Sequence, residues 1–296
     1  MAIPFKSIIG TLLYQLWIVM MGISLYLIYR ALTQDYWLIP ILLGFIGFQS
    51  KVQKSDTFVR LFKSLEIMKF FNKNTIQTLE KVRDKNVIFA FHPHGIYSYS
   101  TISNTHTTGT FFENMVLLGS NMALLFPIAG LFLKLYGIQG ANPENFKRLL
   151  TSGAQVGLLP GGFEEATITS PKENRIFIKQ RKGFIYYAMK YGTIIYPVFV
   201  FGENTLFNTI DWFLPLRLWL NKFKLAGTVF WSRFLTIPEP NREIHTVCGK
   251  GIVLPQVEKP SREDVEKYHQ IYIQAVKDLY DQYAPLYAKG IPLKIY

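Results

Sequence analysis

Cysteine is nearly missing from this 296-residue chain: Cys248 stands alone, which excludes an intramolecular disulfide framework and suits a reducing, cytosol-facing location. Lying in an apolar-to-glycine stretch with no basic neighbour to activate it, Cys248 reads as structural rather than nucleophilic. Acidic residues are scarce beside basic ones, 20 against 32, giving a formal net charge of +12. Such an excess suits an anionic membrane surface, a phosphate-rich small molecule or a nucleic acid. Nucleic acid is the weakest of the three, because no recognition motif occurs and the basic residues are spread among aromatics and aliphatics. The chain has no Gly-x-Ser-x-Gly elbow and no Gly-x4-Gly-Lys-Ser/Thr loop, which discounts a serine hydrolase of that type and a phosphate-loop nucleotidase.

Charge is also absent between Lys6 and Arg30, where the chain reads "SIIGTLLYQLWIVMMGISLYLIY". At about 1.5 Å rise per residue, a helix of this length crosses a hydrocarbon core of roughly 30 Å. A second uncharged stretch, "YWLIPILLGFIGFQS", comes after a short break containing Asp35; with Pro40 inside it, it reads as a tilted span or the returning arm of a hairpin. A signal peptide, with its shorter apolar core and small-residue cleavage site, matches poorly. Lys6 before the first segment and Lys51, Lys54, Arg60 and Lys63 after the second place both ends on the cytosolic side. The expectation is a membrane hairpin over residues 1–50, then a catalytic domain over 51–296.

Beyond the hairpin, helix-like and strand-like segments alternate. "DTFVRLFKSLEIMKFF" has apolar residues at helical spacing with basic residues between, as a helix along a membrane surface would. "VIFAF", "QVGLLP" and "TIIYPVFVFG" read as buried strands, and "NPENFKRLLTSG" as a helix capped by Asn142 with Pro143 at its first position. "RIFIKQRKG" reads as a polar, basic turn before a helix from about Gly183 to Lys190 that Gly192 closes. The uncharged stretch from Asn114 to Leu133, broken by Pro127 and Gly130, reads as a buried or lipid-lining helix pair rather than another span. The fold class is therefore α/β: a mainly parallel or mixed sheet flanked by helices, preceded by a transmembrane helical hairpin. "DWFLPLRLWLNKFKLAGTVFWSRF" reads either as an interfacial element or as an aromatic-rich core helix with a strand after it. The last helix opens at a Ser261 cap, and its His269 reads as structural.

The strands end in His92-Pro93-His94-Gly95, in Gly161-Gly162-Phe163-Glu164-Glu165 and in Gly202-Glu203-Asn204. Ligands of open α/β sheets gather at the carboxyl ends of strands, so these tips are expected at one rim. The two histidines are either satisfied turn residues or catalytic ones; convergence of the tips favours catalysis. A catalytic zinc on His92, His94 and a third ligand such as Glu165 is disfavoured, because Pro93 makes joint coordination awkward. A neutral imidazole acting as general base, with an acid nearby to fix its tautomer, suits deprotonation of an alcohol that attacks a carbonyl. The glycine-rich turn and Arg181 could then supply oxyanion donors. Lys172, Arg175, Lys179, Arg181 and Lys182 form a basic cluster, facing either substrate phosphates or anionic headgroups.

The ordered set "FHPHG", "LLPGGFEEA", "RKGF" and "VFVFGEN", with the closing "GKGIVLPQVEKPSREDVEKYHQIYIQAVKDLYDQY", resembles the type-2 diacylglycerol acyltransferase family. That family also includes monoacylglycerol and wax-alcohol acyltransferases. The likeness covers nearly the whole chain; each motif is moderately specific alone, and the ordered set highly so. The resemblance implies a glycerolipid-acyltransferase-like fold and transfer of a fatty acyl group from acyl-CoA to a lipid hydroxyl, with diacylglycerol as the leading acceptor. Monoacylglycerol and long-chain alcohols are the alternatives, as is a non-catalytic lipid-binding or transfer protein. It implies no cofactor beyond acyl-CoA as co-substrate. It places the chain in the endoplasmic reticulum membrane, multi-pass with a cytosolic catalytic domain, and extends to the lipid droplet surface. His92, Pro93, His94 and Gly95 become the catalytic turn with His94 as base, and Glu165 falls on the acidic position after Gly161-Gly162. Arg181, Lys182, Gly183 and Phe184, then Gly202, Glu203 and Asn204, fall on the substrate-binding motifs. The wider superfamily uses a His-x4-Asp dyad, whereas in this chain Ser98 lies four residues past His94 and Ile96 four past His92; an upstream tyrosine-phenylalanine-proline element is also missing. Glu165 is the residue expected to orient the histidine in place of that aspartate.

Overall fold

The computed structural model describes residues 3–105, 109–222 and 227–296. Helix α1 (Phe5–Thr33) and helix α2 (Leu38–Ser50) open the chain, closed at their junction by an Arg30–Asp35 ion pair of 2.5 Å. At 29 residues and high hydropathy, α1 is long and apolar enough to cross a membrane; α2, at 13 residues, spans about 20 Å as a helix. Helix α3 (Asp56–Ser64) comes next, with Ser55 accepting from the Phe58 N–H as its cap, and then a 3-10 turn over Ile67–Phe70.

Eleven strands occur among the described residues: β1 (Lys73–Thr78), β2 (Val87–His92), β3 (Val116–Gly119), β4 (Gln139–Gly140), β5 (Gln155–Leu158), β6 (Asn174–Ile176), β7 (Ile194–Phe201), β8 (Asn208–Thr209), β9 (Phe230–Trp231), β10 (Glu243–Cys248) and β11 (Leu293–Ile295). The main sheet has the order β1-β10-β7-β2-β5-β3-β4, antiparallel only between β10 and β7 and so mixed. β2, β5 and β7 are adjacent, parallel and buried throughout, which explains why they read as unbroken apolar runs: helices cover both faces.

Strand alternation separates the two faces. Val87, Phe89 and Phe91 with Tyr196, Val198 and Val200 pack toward α1, α3 and α6 (Ala129–Tyr136). Ile88 and Ala90 with Ile195, Phe199 and Phe201 pack toward α7 (Pro143–Thr151), α9 (Gly183–Tyr191) and α11 (Arg262–Tyr287). Helix α4 (Tyr99–Asn104) succeeds the histidine turn, helix α8 (Gly162–Ile168) succeeds the double glycine, and α10 (Leu214–Asn221) lies between β8 and β9.

The fold departs from expectation in two stretches. The one from Asn114 opens with β3, not a helix, and only α5 (Asn121–Leu125) and α6 form the helix pair, parted at Pro127. The residues before Gly183 include β6, which pairs in parallel with β11 at the far end of the chain. Three residues long, that strand has its partner about 120 positions away, so local pattern carries little of the signal. The aromatic stretch from Asp211 does form a helix and then a strand, α10 and β9, but not a core helix: Trp212, Phe213 and Leu216 are exposed, and residues 223–226 within it lie outside the described residues.

Candidate active site

β2 stops at His92 because Pro93 offers no N–H to the ladder, and Gly95 turns the chain at φ +64°. His92 continues the alternation of Ile88 and Ala90, so its fully buried ring faces the α11 side. Its Nδ1 lies 3.1 Å from both oxygens of Glu165, and its Nε2 lies 3.1 Å from the hydroxyl of Tyr272 on α11. Glu165 already accepts from the His94 N–H at 2.7 Å and the Phe177 N–H at 2.8 Å. Its carboxylate therefore acts as acceptor toward the ring, the proton sits on Nδ1, and Nε2 accepts from the Tyr272 hydroxyl. Both nitrogens of His92 are consumed. A side chain at Gly161 would overlap the Glu165 carboxylate, which is why the turn beside it is glycine.

His94 is placed differently. Its backbone N–H is bound by Glu165, but its ring turns away to the Gly95 carbonyl, 3.0 Å from Nδ1. A carbonyl only accepts, so Nδ1 carries the proton and Nε2 keeps its lone pair. The Ser98 hydroxyl stands 3.1 Å from Nδ1 and 3.3 Å from Nε2, and with Nδ1–H committed it donates to Nε2. Burial lowers the His94 pKa, so the ring is neutral near pH 7. Glu165 thus orients His92 and anchors the backbone of His94, while the Gly95 carbonyl takes the Nδ1 proton of His94 in a hydrogen bond and Ser98, four residues past it, contacts the ring.

Glu203 supports the turn from the end of β7, reached through Gly202 at φ +92°. Its carboxylate accepts from the Tyr99 N–H at 2.8 Å, the Ser100 N–H at 3.0 Å and the Ser100 hydroxyl. Burial pushes its pKa up to about 7 against the pull of those donors. A Cβ on Gly95 would come within 2.6 Å of Glu203 Cγ, so the carboxylate stem backs directly onto the histidine turn.

The remaining motif residues form a supporting ring. Arg181 pairs with Glu164 on α8 and lies over the Phe177 ring at 5.4 Å, next to the peptide that donates to Glu165. Lys182 pairs with Glu266, Gly183 begins α9, and buried Phe184 meets the Tyr272 ring edge-on at 4.9 Å. The Asn204 amide donates to the Ser170 carbonyl at 3.0 Å. Of the basic cluster, Arg175 is bound by Glu173 and Asp211, and Lys172 lies 4.0 Å from Asp211. Buried Cys248 has its pKa raised to about 12 by desolvation, and His269 holds the Ile178 carbonyl at 3.0 Å from Nε2. At the far end of α4, Ser103 reaches a cavity of about 760 Å³ walled by Phe62, Phe71 and Tyr136 and bordered by Lys63, Lys69 and Lys73.

Tyr272 and Ser98 belong to the site although no motif marks them for a role in it. Tyr272 lies on the apolar stripe of α11 with Val265, Val276 and Leu279. Its one signal is a tyrosine on a buried face, whose hydroxyl must find a partner.

The chain matches the family model described as Diacylglycerol acyltransferase over residues 27–294. It is 29% identical to Diacylglycerol O-acyltransferase 2 of Danio rerio, across 94% of this chain and 84% of that protein. It is 31% identical to human Diacylglycerol O-acyltransferase 2-like protein 6, across 75% and 73%. Human Acyl-CoA wax alcohol acyltransferase 1 is 27% identical, across 78% and 76%. Among solved structures, the 1-acyl-sn-glycerophosphate acyltransferase PlsC of Thermotoga maritima aligns at TM-score 0.45 and 13% identity, over 93% of this chain and 96% of that one. With the family model spanning the hairpin's end, all three strand tips and the last helix, the chain belongs to the diacylglycerol acyltransferase family and is an acyl-CoA-dependent O-acyltransferase acting on a lipid acceptor.

Proposed function

We propose that this enzyme transfers a fatty acyl group from acyl-CoA to the free hydroxyl of diacylglycerol, forming triacylglycerol, with His94 as general base. The observation that carries this reading is the unequal state of the two imidazoles. His92 is sealed in the core with both nitrogens engaged by distant residues, whereas His94 is a neutral, half-buried ring whose partners among the described residues, the Gly95 carbonyl and the Ser98 hydroxyl, lie within its own turn. Nε2 takes the proton of the acceptor hydroxyl as its oxygen attacks the thioester carbonyl. Collapse of the tetrahedral intermediate breaks the carbon–sulfur bond, and the imidazolium returns its proton to the departing thiolate. A positioned base of this kind contributes about 10²- to 10⁴-fold. A lipid-binding protein without chemistry would have no need of an aligned, unprotonated ring nitrogen.

The same reading puts α1 and α2 in the endoplasmic reticulum membrane as a hairpin, with the sheet domain on the cytosolic side. The outward apolar face of α1 and the exposed Trp212, Phe213 and Leu235 support it. A long-chain alcohol is the second acceptor considered, because a wax alcohol acyltransferase matches nearly as well as the diacylglycerol enzymes. The test is acyl transfer from labelled acyl-CoA in membranes carrying the protein, against diacylglycerol, monoacylglycerol and long-chain alcohols. Triacylglycerol as main product is expected; preferential labelling of wax ester would reassign the acceptor, and no labelling of any acceptor would overturn the reading.

A further inference from the structure

The first helix touches the chemistry more closely than a tether needs to. Its buried positions, Ser7, Gly10, Thr11, Tyr14 and Gln15, recur at three- and four-residue spacing and form one face against the domain. From that face the Tyr14 hydroxyl donates to the Tyr97 carbonyl at 2.9 Å, its ring meets Tyr99 edge-on at 4.5 Å, and Trp17 meets the Tyr97 ring at 5.6 Å. Ser98 lies between those two tyrosines. It is the residue whose hydroxyl stands on His94, and its backbone adopts φ +52°, a left-handed conformation uncommon for serine. Such a conformation persists only where its surroundings over-determine it. In this turn the preceding carbonyl is held by Tyr14, and the succeeding N–H is held by Glu203.

We propose that Tyr14 is a positioning residue for acyl transfer: by holding the Tyr97 carbonyl it sets Ser98, and through Ser98 the ring of His94, so that the membrane helix is part of the catalytic centre. This rests on the acyl-transfer reading above and adds to it a route by which a shift of α1 in the bilayer reaches the base. Tyr14 touches no reacting atom; it acts through one carbonyl and one hydroxyl.

The test uses the full-length protein in membranes, comparing wild type with Tyr14→Phe, Ser98→Ala and the double variant. Leu16→Ala, on the outward face of the same helix, is the control. Phenylalanine keeps the ring against Tyr99 and removes only the hydroxyl. Tyr14→Phe is expected to lower kcat by about tenfold, since small misplacements of catalytic groups are costly, with the KM for acyl-CoA within about twofold. The acidic limb of the pH–rate profile should move to higher pH, because a hydroxyl donating to Nε2 favours the neutral ring. The charged groups facing His94, Glu165 and His92, and Glu203 behind Gly95, are unchanged in these variants. Ser98→Ala should give the same loss, and the double variant no further loss, as expected of two residues acting in one chain of contacts. Full turnover with an unmoved pH profile in either single variant overturns the proposal, as does an equal loss in Leu16→Ala. If Tyr14→Phe accumulates poorly, Ser98→Ala decides alone by the same two readouts. No transfer by wild type to any acceptor would overturn the acyl-transfer reading and this proposal with it; turnover in wild type and Tyr14→Phe alike overturns the proposal alone.

Discussion

Two helices of similar length grip the histidine turn from opposite faces of the sheet, and they are built with opposite radial polarity. α11, of 26 residues, buries Val265, Val276 and Leu279 and turns its charges outward. α1, of 29 residues, buries Ser7, Thr11 and Gln15 and turns Val19, Ile23 and Leu25 outward. Water on the outside explains the first, since burying apolar area is its main driving force. Under the proposed bilayer placement, a hydrocarbon surrounding accounts for the second, where apolar side chains cost nothing outside. Yet each helix carries one tyrosine to the same turn, Tyr272 onto the ring of His92 and Tyr14 onto the carbonyl before Ser98. On that placement polarity follows the surroundings each helix faces, whereas the tyrosines are set by the site.

The largest expected effect lies in the turn that both helices hold. His94→Ala should lower acyl transfer by about 10²- to 10⁴-fold, with protein level and membrane retention kept, because among the described residues the half-buried ring is bonded only within its own turn. Unchanged turnover would show that neither helix is holding a base. The polarity comparison breaks next, if one charge is introduced on the outer face of each helix. Val19→Asp, at the middle of α1, should disfavour insertion by about 2.5–3.5 kcal/mol, read as a rise in carbonate-extractable protein. Ile271→Asp, on the outward side of α11, should leave the unfolding free energy within about 0.5 kcal/mol of wild type. Equal behaviour of the two would mean the helices face the same surroundings.

Tyr272→Phe tests the α11 side of the clamp. It leaves His92 Nε2 without its donor inside the core, costing about 1–3 kcal/mol, to be measured by thermal unfolding in detergent. The smallest effect concerns pH. Glu203, raised from 4.5 to about 7, keeps its proton in the folded protein across a range where the unfolded chain releases it. Its contribution is therefore full below about pH 4.5 and is lost as pH rises through about 7. His94, lowered by burial, works in the opposite sense: its contribution is present above its ordinary pKa of 6.5 and is lost on acidification. Glu203→Gln should flatten the decline of unfolding temperature with rising pH relative to wild type; an identical slope would show that the carboxyl titrates normally.

Much of this is legible from residues alone. The strands β2, β5 and β7 read correctly because strands buried on both faces are unbroken apolar runs, and the capped ends at Asn142 and Ser261 read correctly because capping is local. The partners of the histidines do not read. Glu165 stands out as the acid that would orient the catalytic ring, but the fold divides its work between the ring of His92 and the backbone of His94. Tyr272, Tyr14 and Ser98 look like ordinary core or turn residues until the folded chain brings them to the turn.

The chain by itself determined its elements and the chemistry available to them: an uncharged span long enough for a bilayer, parallel strands with polar tips, and two imidazoles around a proline. Those features rest on periodicity and composition, which act over a few residues. Only the tertiary structure decided which imidazole is sealed in the core and which is left half-buried. Hydrogen-bond partners 73 and 180 residues from His92 hold its ring inside the core, whereas the half-buried ring of His94 is held by Gly95 and Ser98 of its own turn. A lone pair is available or spent according to what lies within about 3 Å in space, and that distance carries no trace in the order of the chain.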